Sequence, residues 1–138
     1  MPRKSPVEDE VIQAVPQIRT HEMGIYKRYF DLIAAGRKTT EIRVNDSSRK
    51  NIKVGSLIRF RCQGDQVLTR VTRVTRYTDF DAMFDHKSVT SVNPLATREE
   101  QLANIRQIYP PEREALGVVA IGIELVDQPG PAEPRDRP

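Results

Sequence analysis

The 138-residue sequence has little cysteine, histidine and aromatic content, and these shortages exclude several kinds of protein. Cys62 is the one cysteine, so an internal disulfide and a multi-cysteine zinc site are excluded. The two histidines, His21 and His86, lie far apart in the sequence. No apolar run approaches the roughly 20 residues that a transmembrane helix needs, and the N-terminus has no apolar stretch typical of a signal peptide. We therefore expect a cytoplasmic protein without membrane contact.

The size and composition are those of one soluble domain. A 15.7 kDa chain that is 38% hydrophobic and 30% charged can bury a single core. Residues 1–16 are polar and predict a flexible N-terminal tail, and residues 127–138 carry four prolines and predict a disordered C-terminal tail. The folded domain is therefore expected over residues 17–126.

Basic residues are concentrated in the middle of the chain. Residues 37–76 hold eleven Lys and Arg against three Asp and Glu, a local excess of eight positive charges in a chain whose net charge is +3. An excess of that size favours a polyanionic partner such as nucleic acid. The alternative is a basic surface that the acidic flanks balance in three dimensions.

One short stretch concentrates charge next to a predicted core. Residues 26–35 have the apolar spacing of an amphipathic helix, and Gly36 suits the end of that helix. The strand that follows, over residues 39–44, alternates in polarity and brings Lys38, Glu41 and Arg43 close together. Three charged groups beside a core are a candidate site, and a solvated strand edge is the alternative.

The remaining patterns predict mostly strands. Strands are expected over residues 17–22, 57–62, 66–77 and 117–126, with a β-bulge near Thr72 where the alternation slips. A short helix begins after Asp79, residues 88–96 form a loop, and a capping box of Thr97 and Glu100 begins a helix that ends before Pro110. These elements predict an α+β domain built on a small closed or half-closed β-barrel.

The candidate stretch resembles the signature of a known family. Gly36, Lys38, Glu41 and Arg43 match the G-x-K-x-x-E-x-R pattern of ASCH domains, which belong to the PUA-like superfamily. Residues 54–60 are similar to the family's next strand entry, and residues 108–121 to its closing helix and strand. The resemblance implies a PUA-like β-barrel of about five to six mostly antiparallel strands with two to three flanking helices.

The resemblance also implies function. RNA binding is the usual proposal for such domains, and we expect RNA, single-stranded nucleic acid or a nucleotide-like small molecule as the partner. The basic cleft would contain Lys38, Arg43, Arg49, Lys50, Lys53, Arg59 and Arg61, with Tyr26 stacking on a base. The sequence leaves the ligand and the oligomeric state open.

The alternative is one of two hydrolase hypotheses, and in both of them Lys38 and Glu41 are catalytic. Some ASCH-like proteins deacetylate N4-acetylcytidine through a lysine, a threonine and a glutamate, and others are ribonucleases assisted by a divalent metal such as Mn²⁺. Glu41 stands where the deacetylases have threonine, and Thr39 and Thr40 are displaced from that position. The spacing therefore favours binding or nuclease action over deacetylation. No cofactor is expected, except for a divalent metal if the protein is a ribonuclease.

Overall fold

Residues 18–126 are described by a computed structural model of the chain. The strands are β1 (Thr20–Gly24), β2 (Thr40–Val44), β3 (Leu57–Cys62), β4 (Asp65–Tyr77) and β5 (Val118–Leu125). The helices are α1 (Lys27–Ala34), α2 (Phe80–His86), α3 (Val89–Val92), α4 (Arg98–Ile108) and α5 (Pro111–Glu114), and a 3₁₀ turn spans Ser47–Arg49. The two predicted tails lie outside the described residues.

The strands form one curled sheet in the order β1-β3-β4-β5-β2. β1 pairs with β3 in parallel, and the other neighbours are antiparallel. The sheet curls into a half-barrel whose edge strands are β1 and β2. The Arg43 guanidinium on β2 donates to the Gly24 carbonyl at the end of β1, over 3.2 Å. The α+β fold with a small, partly closed barrel is therefore confirmed.

The bend in β4 comes from a β-bulge at Thr72, as the polarity pattern predicted. The pairing of β4 with β5 shifts by one residue between Val71 and Arg73. Gly122 lies opposite this bulge, where an added Cβ would come within 2.8 Å of the Thr72 hydroxyl oxygen. The extra residue increases the local twist, which allows a 13-residue strand to follow the curl.

The domain has two apolar clusters, one on each side of the sheet's β2–β5 end. The first lies inside the curl, beneath α1, and includes Met23, Ile33, Ile58, Phe60, Val71 and Ile121. The second lies beneath α2 to α4 and includes Ile42, Val44, Phe80, Met83, Phe84, Val92 and Val118. β2 therefore has a covered residue on both faces, because its Thr40, Glu41, Ile42 and Val44 are all buried.

Three sequence predictions need correction. The first strand begins at Thr20 and continues through Met23, where a turn was expected, because Met23 pairs with Phe60 of β3 and is buried. The expected loop over residues 88–96 contains the helical turn α3. The one-turn helix α5 was not expected at all, and its Glu114 carboxylate accepts from the backbone N–H of Phe80, where α2 begins.

Most helix boundaries agree with the predictions. Gly36 follows α1 with a φ of 75°, the left-handed conformation expected at the end of a helix. The Asp79 side chain caps α2, and both hydrogen bonds of the Thr97–Glu100 capping box form at the start of α4. Among residues 18–126, no helix is long and apolar enough to cross a membrane.

Candidate functional site

A pocket of about 400 Å³ lies beside β2, in the gap between the two edge strands of the half-barrel. The segment after β1 and helix α1 form one wall, and α3 and α4 form the opposite wall. Lys38, Glu41 and Arg43 lie along its β2 side. The structure therefore brings the signature residues together at a concave site.

Lys38 is held in place by three oxygen atoms. Its ammonium donates to the backbone carbonyls of Thr40 and Val92, each over 2.9 Å, and lies 3.4 Å from Oε1 of Glu41. The side chain is almost wholly buried, and the ammonium lies 5.4 Å from the centre of the Tyr29 ring. Because its three protons have three acceptors, this lysine is fixed at the wall of the pocket and cannot reach far into it.

Glu41 lies between two cations. Its Oε2 accepts from Nε of Arg43 over 2.6 Å, while Oε1 faces Lys38. Burial raises the pKa of Glu41, but Arg43 and Lys38 lower it further, so the net direction is downward. The carboxylate therefore stays ionised near neutral pH, and one positive charge remains over the three residues.

Burial acts in opposite ways on the two cations. It lowers the pKa of Lys38, and the nearby Glu41 carboxylate opposes this effect only in part. Burial also lowers the pKa of Arg43, but Glu41 and then Tyr109 raise it, and the net direction is upward. Arg43 is therefore a permanent cation, whereas Lys38 is the member of the set whose protonation is easiest to change.

Three tyrosines surround the charged residues. Tyr26 lies just before the first turn of α1 and Tyr29 lies on it, and their ring centres are 6.4 Å apart. The exposed Arg28 guanidinium lies 4.9 Å from the Tyr29 ring centre. Tyr109 lines the opposite wall, at the end of α4. Tyr26, which was predicted to stack on a base, lies in the pocket wall. Tyr29 is half-buried and also lines the pocket.

The far wall contains polar residues that the sequence analysis missed. Gln101 donates to the carbonyls of Val89, Asn93 and Ala96 over 2.9 to 3.1 Å, while its Oε1 is buried without a partner among the described residues. Asn93 also lines the pocket. A signal was present, because Gln101, Ile105 and Ile108 follow one another on one face of α4, and a glutamine on an apolar face needs partners.

The other predicted basic residues do not line this pocket. Arg59 and Arg61, on β3, both donate to the Glu22 carboxylate of β1 over 2.6 Å. Lys50 and Lys53 are exposed, and Arg49 is half-exposed, in the segment after β2. The structure thus brings Tyr26, Lys38, Glu41 and Arg43 to one site and leaves five of the predicted bases elsewhere on the domain.

A divalent metal does not fit the site as it is built. Within residues 18–126, no group of three or more His, Cys, Asp and Glu side chains is placed to hold an ion. Glu41 is the acidic residue of the pocket wall, and both of its oxygens already face cations. A metal ion there would have to displace Lys38 or Arg43.

Comparisons with known proteins show which family the chain belongs to. The ASCH domain family matches residues 23–127. The crystal structure of hypothetical protein PH0355 is 37% identical and has a TM-score of 0.71, covering 78% of this chain and 99% of its own. The solution structure of protein PF0455 from Pyrococcus furiosus is 32% identical with a TM-score of 0.66, covering 79% and 99%. No curated protein matches.

A third structure is a mutant of ZmASCH from Zymomonas mobilis, which is 10% identical and has a TM-score of 0.58. It covers 80% of this chain and 70% of its own, and it supports the fold alone. The family match and the two closer structures show that this chain belongs to the ASCH domain family.

Proposed function

We propose that this ASCH domain binds RNA, or a nucleotide-like ligand, by accommodating one nucleotide in the pocket beside Lys38, Glu41 and Arg43. The observation that carries the proposal is the combination of a pocket of about 400 Å³ with tyrosines on two walls and a network of one excess positive charge on the third. This volume falls within the roughly 300–1,000 Å³ range of small-molecule sites. It suits one nucleotide rather than a longer stretch.

The aromatic and cationic groups match the parts of a nucleotide. Unpaired bases are bound in proteins by stacking on tyrosine rings and arginine planes, and Tyr26, Tyr29 and Arg28 offer such surfaces at the mouth. The exposed Lys50 and Lys53 could contact phosphates of a longer RNA only away from the pocket. Base binding and phosphate binding are therefore separable in this proposal.

Binding is tested with a labelled single-stranded RNA, run on native and denaturing gels with Mn²⁺ or with EDTA. Tyr29→Leu keeps apolar bulk but removes the aromatic face, and we expect it to weaken binding about tenfold or more, a loss consistent with one stacked base. Arg28→Ala and Arg37→Ala form a matched pair, because both are exposed but only Arg28 lies over the tyrosines. Arg28→Ala should weaken binding more than Arg37→Ala.

A mobility shift without cleavage, reduced in Tyr29→Leu, is the expected result. Wild-type binding that neither Tyr29→Leu nor Arg28→Ala weakens would contradict the use of this pocket. Affinity that does not depend on salt would contradict the role of phosphate contacts.

A hydrolase acting on RNA or on a modified nucleoside is the second candidate, favoured by one observation. Lys38 has a lowered pKa and lies 3.4 Å from Glu41 at the wall of a pocket, an arrangement typical of acid–base sites. Two observations count against it. Glu41 is a weak base because its pKa is lowered, and the Thr40 hydroxyl hydrogen-bonds Ser91 instead of facing the pocket.

The same gels, together with an assay of N4-acetylcytidine deacetylation, distinguish the two candidate functions. A hydrolase predicts that RNA is cleaved, or N4-acetylcytidine deacetylated, by the wild type, and that Glu41→Gln abolishes turnover while leaving binding largely intact. Unchanged turnover in Glu41→Gln would remove this residue from any mechanism.

A further inference from the structure

One edge of β2 faces the pocket, and the pairing of the other edge fixes which backbone groups point there. The Thr39 carbonyl accepts from the N–H of Ile123, and the N–H of Asn45 donates to the Gly117 carbonyl, each over 2.9 Å. In an antiparallel ladder, alternate residues bond to the same neighbour. Residues 39, 41, 43 and 45 therefore bond toward β5, and Thr40, Ile42 and Val44 direct their backbone groups outward.

Two of these three outward carbonyls are used within the domain. The carbonyl of Thr40 accepts from the Lys38 ammonium, and that of Val44 accepts from the N–H of Asp46, both over 2.9 Å. The N–H and C=O of Ile42 take part in no such bond with any described residue. A protein edge strand normally satisfies or covers such groups, because an unpaired buried amide is costly.

The pocket runs along this edge. Glu41 and Arg43 lie on one face of β2, while the Ile42 side chain packs on the other face in the cluster beneath α2 to α4. All three nevertheless line the same pocket. A cavity that touches both faces of a strand must pass its edge, so the outward N–H and C=O of Ile42 border the pocket.

We propose that the backbone of Ile42 reads the Watson–Crick edge of an unpaired nucleobase. This inference rests on the proposed function and narrows its ligand to bases whose pairing edge is free. Each nucleobase carries a hydrogen-bond acceptor next to an N–H donor on that edge, as O4 and N3–H do in uracil. The acceptor takes the Ile42 N–H, and the donor binds the Ile42 carbonyl, as a neighbouring strand would.

The width of the free edge favours a base over a peptide strand. Among the three outward residues of β2, Ile42 is the one whose N–H and C=O are both free, because Lys38 occupies the Thr40 carbonyl and the Asp46 N–H occupies the Val44 carbonyl. An extended peptide bonds through alternate residues of a strand and needs a longer edge. A planar ring needs one donor and one acceptor.

The ligand arm of the test titrates isotope-labelled protein with uridine 5′-monophosphate and with its 3-methyl and 5-methyl forms. The two methylated nucleotides have the same size, but only the 3-methyl form lacks the N3–H donor. We expect the 5-methyl form to bind within about threefold of the parent. The 3-methyl form should bind at least about tenfold more weakly, as expected when a buried carbonyl loses its donor. The Ile42 amide signal should shift with the parent nucleotide.

The protein arm uses Ile42→Pro with Ile42→Ala as its control. Proline removes the N–H and is tolerated on an edge strand where that N–H faces away from the ladder. Alanine shortens the same side chain but keeps the N–H. We expect Ile42→Pro to bind uridine 5′-monophosphate at least about tenfold more weakly than Ile42→Ala, with thermal unfolding used to verify that both fold. If Ile42→Pro does not fold, the ligand arm decides.

Each outcome has one meaning. Equal binding of the 3-methyl and 5-methyl nucleotides, with an unmoved Ile42 amide, overturns this inference but leaves the proposed function intact. Equal binding of a single-stranded RNA and its duplex also overturns it, because pairing occupies the edge that Ile42 would read. If neither nucleotide nor RNA binds at all, the proposed function fails and this inference fails with it.

Discussion

Two ion-pair clusters of this domain each join one glutamate to two basic side chains, but in different surroundings. In the pocket, Glu41 lies between Lys38 and Arg43 and is almost wholly buried. On the outer side of the β1–β3 edge, Glu22 lies between Arg59 and Arg61 and is about half exposed. Both clusters have one carboxylate, two cations and contacts as short as 2.6 Å.

The two clusters differ in how readily water can solvate a charge that loses its partner. Around Glu22, water solvates any charge that loses its partner, so the pairs contribute little to stability. Glu41 and Lys38 are almost wholly buried, so little water can replace a lost partner, and each charge depends on the other two and on the carbonyls around them. The buried cluster forms a rigid wall of the pocket, whereas the exposed cluster neutralises part of the basic excess between residues 37 and 76.

The largest effect should come from breaking the buried cluster. Lys38→Met keeps an unbranched side chain of nearly the same length but leaves Glu41 with one cation and leaves two carbonyls without a donor. We expect a loss of about 3–5 kcal/mol in the free energy of unfolding, measured by urea denaturation. The control is Arg59→Met, in which Glu22 retains Arg61 and water, so little stability should be lost. Similar losses in the two variants would contradict the contrast.

Replacing Gln101 should have the next largest effect. Its amide donates to three carbonyls that join α3, the following loop and the start of α4. Gln101→Leu preserves bulk but removes these donors, and we expect a loss of about 1–3 kcal/mol by thermal or urea unfolding. Gln107→Leu, on the exposed part of the same helix, should change stability little. Equal losses would indicate a general effect of leucine on α4.

Lowering the pH should also distinguish Glu41 from Glu22, with a smaller effect on stability than the two substitutions above. The pKa of Glu41 is lowered in the fold, so its contribution to stability is present above the unfolded value of about 4.5 and is lost as the pH falls through the folded value. Between about pH 5 and about pH 2, Glu41→Gln should therefore lose less of its remaining stability than the wild type. Glu22→Gln should flatten the pH dependence less than Glu41→Gln.

The smallest effect on stability should come from the exposed bases after β2. Replacing Arg49, Lys50 and Lys53 together by alanine removes no buried contact, so unfolding should be unchanged. If these residues contact RNA phosphates, the slope of log affinity against log salt should decrease by up to about 2, near 0.7 for each contact to a single strand. An unchanged slope would limit the RNA contacts to the pocket.

Most of the fold could be predicted from local sequence patterns. Alternation over residues 57–62, the slip near Thr72 and the capping box at Thr97 all predicted elements that the structure contains. These signals involve residues close together in the chain, so neighbouring sequence determines them. β1 was misplaced because its position depends on parallel pairing with β3, about 37 residues away.

Only part of the candidate site could be predicted from the sequence. Lys38, Glu41 and Arg43 stood out because they are charged and close in sequence. The far wall comes from Asn93, Gln101 and Tyr109, which lie more than 50 residues beyond Glu41 and carry no motif of their own. The basic excess between residues 37 and 76 predicted one charged cleft, but Glu22, which lies before that segment, pairs with two of its members away from the pocket.

Local sequence was sufficient to predict most of the strands, the caps, the bulge and the family signature. It could not determine which charges would be buried, because burial depends on what the curled sheet and α3 to α4 place over β2. It also could not show that Ile42 would keep a free backbone edge, since strand order alone decides which edge of β2 is paired. Long-range packing, which no local pattern encodes, decided both.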